Sequence, residues 1–124
     1  MISIVIPFYN EKENLPILIE GLVAVLEKVN EKYEIVLVDD GSGDGDSSKL
    51  KVKSEKLKVV KHRKRFGKGQ ALKTGIENSK GEVLVFMDGD LQDDPADLPK
   101  FLEKINEGND FVNGIREKRN DNAI

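Results

Sequence analysis

A chain of 124 residues, 38% hydrophobic and 35% charged, has the size and composition of one globular domain and not of a disordered polypeptide. It has no cysteine, which excludes a disulfide framework, a thiolate metal site and a thiol nucleophile; no apolar run approaches the ~18 residues of a membrane-spanning helix, and Met1-Ile2-Ser3-Ile4 lacks the basic start of a secretory signal. The net charge of −3 is unevenly spread, because eleven of the 20 Lys and Arg lie between Lys49 and Lys73, with Glu55 the sole acid among them. The expectation is a cytoplasmic protein.

Ile2 to Phe8 is a short apolar run predicted to be a strand ended by Pro7, whose missing N–H stops a ladder. Asn10 followed by Glu13 has the spacing of a capping box. Leu15, Leu18, Ile19, Leu22, Leu26 and Val29 recur at helical spacing, which predicts about five turns ending near Asn30. Glu34 to Asp39 is a second strand. The loop after it, Asp39-Asp40-Gly41-Ser42-Gly43-Asp44-Gly45-Asp46, opens like a calcium loop, but Lys51 stands where the closing glutamate belongs. A helix is predicted over Ser47 to Lys56 and a third strand over Leu57 to His62.

The basic belt has two parts. Lys49 to Lys58 reads as a solvated face. His62-Arg63-Lys64-Arg65 is denser and sits at a strand end, so it points to phosphates or anionic headgroups; interleaved aromatic residues are missing, which speaks against nucleic acid. Gly67-Lys68-Gly69 leads into a helix ending near Lys80-Gly81, with Ala71, Leu72, Gly75 and Ile76 on one face. It lacks P-loop spacing, yet a glycine loop with a lysine at a helix start is a candidate anion site.

Val83 to Met87 is too short for a helix and predicts a strand buried on both faces. It runs into Asp88-Gly89-Asp90, with Gln92 beyond. Two carboxylates one residue apart at a strand end suit a hard divalent cation, Mg²⁺ or Mn²⁺, and Gly89 permits a tight turn. A solvated acidic turn is the alternative, and a lone D-x-D pattern does not decide between them. Asp94 and Pro95 then start a helix with Leu98, Phe101, Leu102 and Ile105 inward and Gly108 at its end. Asp110 to Ile115 is a fifth strand, followed by a charged tail.

Strands alternating with helices predict an α/β fold of three layers, a mainly parallel sheet with strand order 3-2-1-4 and a fifth strand. Ligands then bind at the carboxyl ends of the strands, where the order reverses. Tyr9 to Glu11, Asp39-Asp40 and Asp88 to Asp90 all fall on that rim.

Val5-Ile6-Pro7-Phe8-Tyr9-Asn10-Glu11, Val38-Asp39-Asp40-Gly41-Ser42, Phe66-Gly67-Lys68 and Phe86-Met87-Asp88-Gly89-Asp90-Leu91-Gln92-Asp93 closely resemble family-2 glycosyltransferases, most of all the polyprenol-phosphate, dolichol-phosphate mannose synthase-like branch. The likeness runs from Ile2 to about Arg119. It implies the GT-A fold, a nucleoside-diphosphate sugar donor such as a UDP- or GDP-sugar, Mg²⁺ or Mn²⁺, and a lipid-phosphate acceptor. It also implies nucleoside contacts from Pro7, Tyr9, Glu11, Asp39 and Asp40, metal positions at Asp88, Asp90 and Gln92, and a phosphate-facing Arg116. Lys68 and Gly89 join the nucleotide site, and Asp88, Asp90 and Arg116 form its reacting end. Arg65 stands where the family often has Asn. Relatives continue well past strand five, so residues 1–124 are expected to form a donor-binding domain that is incomplete at its C-terminal end, lying at a membrane face through its basic segment. A module that binds a nucleotide sugar without turnover, and a nucleotidyltransferase or a phosphatase using Asp88, are the competing readings. In this scheme Phe8 is core and His62, the only histidine, is a strand-end residue.

Overall fold

The computed structural model describes residues 1–29, 31–45, 56–89 and 95–106, with residues 101 and 104–106 described for backbone only. The predicted helix over Ser47 to Lys56 lies outside them except for Lys56. The Asp94 cap, the Gly108 stop and the fifth strand Asp110 to Ile115 also fall outside.

Branched apolar runs form four parallel strands, β1 (Ile2–Phe8), β2 (Tyr33–Asp39), β3 (Leu57–Lys61) and β4 (Val83–Phe86), in the order β3-β2-β1-β4. The predicted order therefore holds for the described strands. Three helices connect and flank them: α1 (Leu15–Leu26), α2 (Lys68–Glu77) and α3 (Leu98–Asn106), the last preceded by a 3₁₀ turn at Pro95–Asp97. Alternation along β1 divides the core. Ile2, Ile4, Ile6 and Phe8 face one layer with Leu15, Leu18, Ile19, Leu22 and Leu26 of α1 and Leu98 and Leu102 of α3. On the opposite face α2 lies over β1 and β2, with Ala71 against Val36 and Val38. Gly75 makes this approach possible, since a Cβ there would collide with the Val5 side chain.

Several expectations change. Pro7 does not end the first strand, which runs on to Phe8 with Pro7 opposite Val38. The Val5 carbonyl accepts from Met87 N toward β4, and the Phe8 carbonyl accepts from Asp40 N toward β2. Alternation puts the Pro7 nitrogen on the β4 side, just past the end of β4 at Phe86, where no ladder bond is required.

Asn10 and Glu13 form no capping box. Asn10 adopts φ 55°, and the helix starts at Leu15 with Asn14 before it and no side-chain cap. α1 has 12 residues rather than five turns, and its hydrogen bonds slacken into turns at Lys28 and Val29. In β4 only Val85 is fully buried, because β4 is an edge of the described sheet. On α2, Ala71 and Gly75 are buried, Leu72 is half-buried and Ile76 is exposed; the helix sits so close over Gly75 that its inward face is narrow.

Candidate functional site

Because the four described strands are parallel, their carboxyl ends form one rim. The chain leaves β1 for β2 on one side and returns through β3 to β4 on the other, so the reversal lies between β1 and β4. Gly89 closes that point: a Cβ there would stand 2.9 Å from Phe8 Cβ and 3.8 Å from Glu11 Cβ. The glycine thus lets the loop carrying Asp88 lie against the start of the loop after β1. Asp88 is 19% exposed, and its Oδ1 accepts from Lys68 Nζ at 2.8 Å. Lys68 is the first residue of α2, so the glycine-flanked lysine and the first carboxylate of the D-x-D pattern meet across the switch point.

The loop after β1 is locked to the loop after β2. Asn10 N donates to Ser42 Oγ at 2.8 Å, Gly43 N donates to Asn10 Oδ1 at 2.8 Å, and Lys12 N donates to Asp44 Oδ2 at 3.0 Å. The left-handed backbone at Asn10 serves this exchange, a role that the capping-box reading missed. It presents Tyr9, exposed at the rim, under the Arg65 guanidinium at 4.0 Å from the ring centroid. Glu11 is half-buried, with Oε2 accepting from Asn14 Nδ2. Pro7 and Phe8 are buried in β1, and for Phe8 this is the core role expected.

The adjacent acids of β2 differ in kind. Asp40 is buried and fully engaged: Oδ1 accepts from Phe66 N at 2.9 Å and lies 2.8 Å from His62 Nδ1, and Oδ2 accepts from Gly67 N at 3.0 Å. Burial, the largest influence, would raise its pKa. The Phe66, His62 and Gly67 hydrogen bonds outweigh it and hold the carboxyl below the ordinary 3.8. Asp39 accepts from Ser42 N through Oδ1, but its buried Oδ2 finds no hydrogen-bond partner among the described residues. A buried carboxylate oxygen without a donor is costly, and a ligand N–H or O–H would relieve it.

Sequence reasoning underrated His62. It is at a strand end as expected, but both ring nitrogens are engaged, the second with Thr74 Oγ1 at 2.8 Å. The folded register sets this: Asp39 pairs with Lys61, so the next residues along, Asp40 and His62, face each other. Of the Lys49 to Lys58 stretch, residues 56–58 are described: Lys56 pairs with Glu27 and lies over the Tyr33 ring, and Lys58 donates to the Asn78 carbonyl. Arg63, Lys64 and Arg65 are exposed at the rim, with Lys64 over the exposed Phe66 ring.

Asp90, Gln92 and Arg116 lie outside the described residues. Among those described, no three His, Cys, Asp or Glu side chains converge as a metal cluster. Asp88 supplies a hard carboxylate oxygen, which in this structure meets the Lys68 ammonium. A carboxylate oxygen is the hard ligand type that Mg²⁺ and Mn²⁺ take.

The comparisons agree with this geometry. The sequence profile named "Glycosyl transferase family 2" matches residues 3–123. An undecaprenyl-phosphate 4-deoxy-4-formamido-L-arabinose transferase of Aeromonas hydrophila is 34% identical over 98% of this chain and 38% of its own length; the enzyme of that name from an Enterobacter species is 38% identical over 97% and 38%. The chain thus spans under two fifths of these curated relatives. Among solved structures, the mannosyltransferase PcManGT of Pyrobaculum calidifontis, in complex with GDP-Man and Mn²⁺, superposes with TM-score 0.63 at 29% identity over 72% of this chain and 27% of that one. The mannosyl-3-phosphoglycerate synthase of Rubrobacter xylanophilus reaches TM-score 0.73 at 22% identity over 87% and 36%, a likeness of fold. The profile covers nearly every residue, the sheet order and switch point are those of the GT-A fold, and the named relatives lie in the polyprenol-phosphate branch: this chain belongs to glycosyl transferase family 2.

Proposed function

We propose that this chain forms the donor-binding part of a glycosyltransferase that moves a sugar from a nucleoside-diphosphate sugar to a polyprenol phosphate at a membrane face. The observation that carries the reading is the Lys68–Asp88 pair at the switch point, 2.8 Å apart. It sets an ammonium for the diphosphate beside a carboxylate for a divalent cation, as the donor's charge distribution demands. Asp88, together with Asp90 and Gln92, would hold Mg²⁺ or Mn²⁺, which supplies Lewis-acid neutralisation of the diphosphate leaving group. Asp39, with an oxygen that no described residue partners, accepts from the nucleoside, and the Tyr9 ring offers a flat face to the base. Glu11, across from Gly89, accepts from ribose or sugar hydroxyls. Lys68 and Arg65 bind phosphate oxygens, and Arg116 is assigned the same part. Pro7 shapes the strand end beneath them.

In the reaction the bond from the anomeric carbon to the donor phosphate oxygen breaks, and a bond from that carbon to an acceptor phosphate oxygen forms. The acceptor is already an anion at neutral pH, so a strong general base is unnecessary. His62 is not spare for that part, because Asp40 and Thr74 take both its ring nitrogens. The exposed Arg63, Lys64 and Arg65 face anionic headgroups in this reading.

Calorimetry with UDP, GDP, CDP and dTDP, each with and without Mn²⁺, tests the reading on wild type and Asp90→Asn. One nucleotide should bind the wild type, more tightly with Mn²⁺. Asp90→Asn should fold normally and lose most of that enhancement, since divalent affinity follows ligand charge. Equal enhancement in both proteins would remove Asp90 from the metal site.

A further inference from the structure

One imidazole holds α2 at two points. His62 Nδ1 stands 2.8 Å from Asp40 Oδ1, and the carboxylate accepts, so this nitrogen carries the proton. Nε2 stands 2.8 Å from Thr74 Oγ1. The hydroxyl donates to a neutral ring and accepts from a charged one, so the link persists in either state. The ring is 9% exposed, and Phe66 packs edge-on against it at 5.2 Å. Asp40, oriented by His62, in turn receives Phe66 N and Gly67 N, the residues that lead into α2. Thr74 lies about 9 Å further along the axis at ~1.5 Å per residue. Two anchors so spaced fix how far the helix slides and turns over β1 and β2. Lys68 is the first residue of that helix, and its ammonium meets Asp88 at 2.8 Å. Arg65 over Tyr9 belongs to the loop that Asp40 pins.

We propose that His62 is a positioning residue of the donor site: through Asp40 and Thr74 it sets α2 so that Lys68 reaches the switch point and Arg65 covers Tyr9. The inference rests on the reading of this rim as the nucleotide site. His62 touches neither donor nor acceptor in it.

The test is calorimetry of UDP and GDP, with Mn²⁺, on wild type, His62→Ala, His62→Asn and Thr74→Val, below every melting temperature. Asparagine keeps an N–H within reach of Asp40 and gives up Thr74. His62→Ala should weaken the bound nucleotide about tenfold or more, the loss of a charge-assisted bond expressed through Lys68. His62→Asn should recover part of the affinity, because it restores the Asp40 anchor and not the Thr74 one, while still melting below wild type. A merely structural histidine predicts that affinity below the melt ignores both changes. Wild-type affinity in His62→Ala overturns the inference, as does an Asn variant that binds no better than Ala. Should His62→Ala not fold, Thr74→Val decides: weaker nucleotide binding at a folded baseline supports the strut, and unchanged affinity overturns it. Failure of the wild type to bind either nucleotide is a separate result that sinks the nucleotide reading and the inference with it.

Discussion

The two ends of the sheet use the same chemistry to opposite effect. At the amino end Glu34 of β2 is buried. Its Oε2 accepts from the Ser3 hydroxyl at 2.7 Å and from Lys80 N at 2.6 Å, Ser3 Oγ accepts from Gly81 N, and Lys58 stands 4.0 Å from Oε1. That cluster ties β1, β2 and the turn before β4 together and closes on itself. At the carboxyl end one Asp39 oxygen has no partner among the described residues, Asp88 meets a half-exposed lysine, and Tyr9, Arg65 and Phe66 stand in solvent. A buried acid is a structural device when donors within the chain account for its oxygens. Where they do not, a donor from outside the chain can satisfy it. Asp40 lies at the rim yet belongs with the first kind, because both its oxygens are committed to the loop it shapes.

The sharpest way to break this contrast is at the amino end. Glu34→Leu leaves the Ser3 hydroxyl and Lys80 N–H without their acceptor and should cost about 3 kcal/mol of stability, at ~1–3 kcal/mol for each stranded group. Nucleotide affinity of the folded fraction should be unchanged. Urea denaturation checks the first point; a loss below about 1 kcal/mol would mean that the cluster is not the brace described.

Asp39→Asn exerts the converse effect at the other end. It keeps an oxygen for Ser42 N and replaces the unpartnered carboxylate oxygen with an amide. Stability should hold within about 0.5 kcal/mol, while nucleotide binding falls roughly tenfold because a donor now stands where an acceptor is needed. Unaltered affinity would take Asp39 out of the site.

The smallest effect is that of pH, and it joins the ends. Glu34 is held below its ordinary 4.5: burial is the largest influence and pushes upward, but the Lys80 N–H, the Ser3 hydroxyl and the charges of Lys58 and Lys80 outweigh it. Asp40 is likewise held below 3.8. Folded pKa values lower than the unfolded ones mean stability that is complete above the unfolded values and lost as pH falls through the folded ones. The melting temperature should therefore be level from pH 7 to about 5 and drop below about pH 4, with a shallower drop in Glu34→Gln. A melt that ignores pH over that range would contradict both assignments.

By itself the sequence determined the four described strands, their order and the rim on which the acids fall. Hydrophobic period and strand-ending residues are local properties, and right-handed parallel connections leave few ways to wind such a chain. The four motifs also carried the family. What the sequence left open was decided by contacts between residues far apart in the chain. Pro7 continues β1 because β4 ends one position too early to need its N–H. Asn10 forms a lock with Ser42 and Gly43 rather than a cap, since the neighbouring loop offers better partners than the helix does. Adjacent aspartates at Asp39-Asp40 look alike in sequence. Side chains alternate across a strand, so at its end one turns toward a loop that supplies three donors and the other toward a place where the described residues supply one. His62 gained its strut in the same way, from an acid just past β2 and a hydroxyl on α2 that only the folded register brings to opposite sides of one ring.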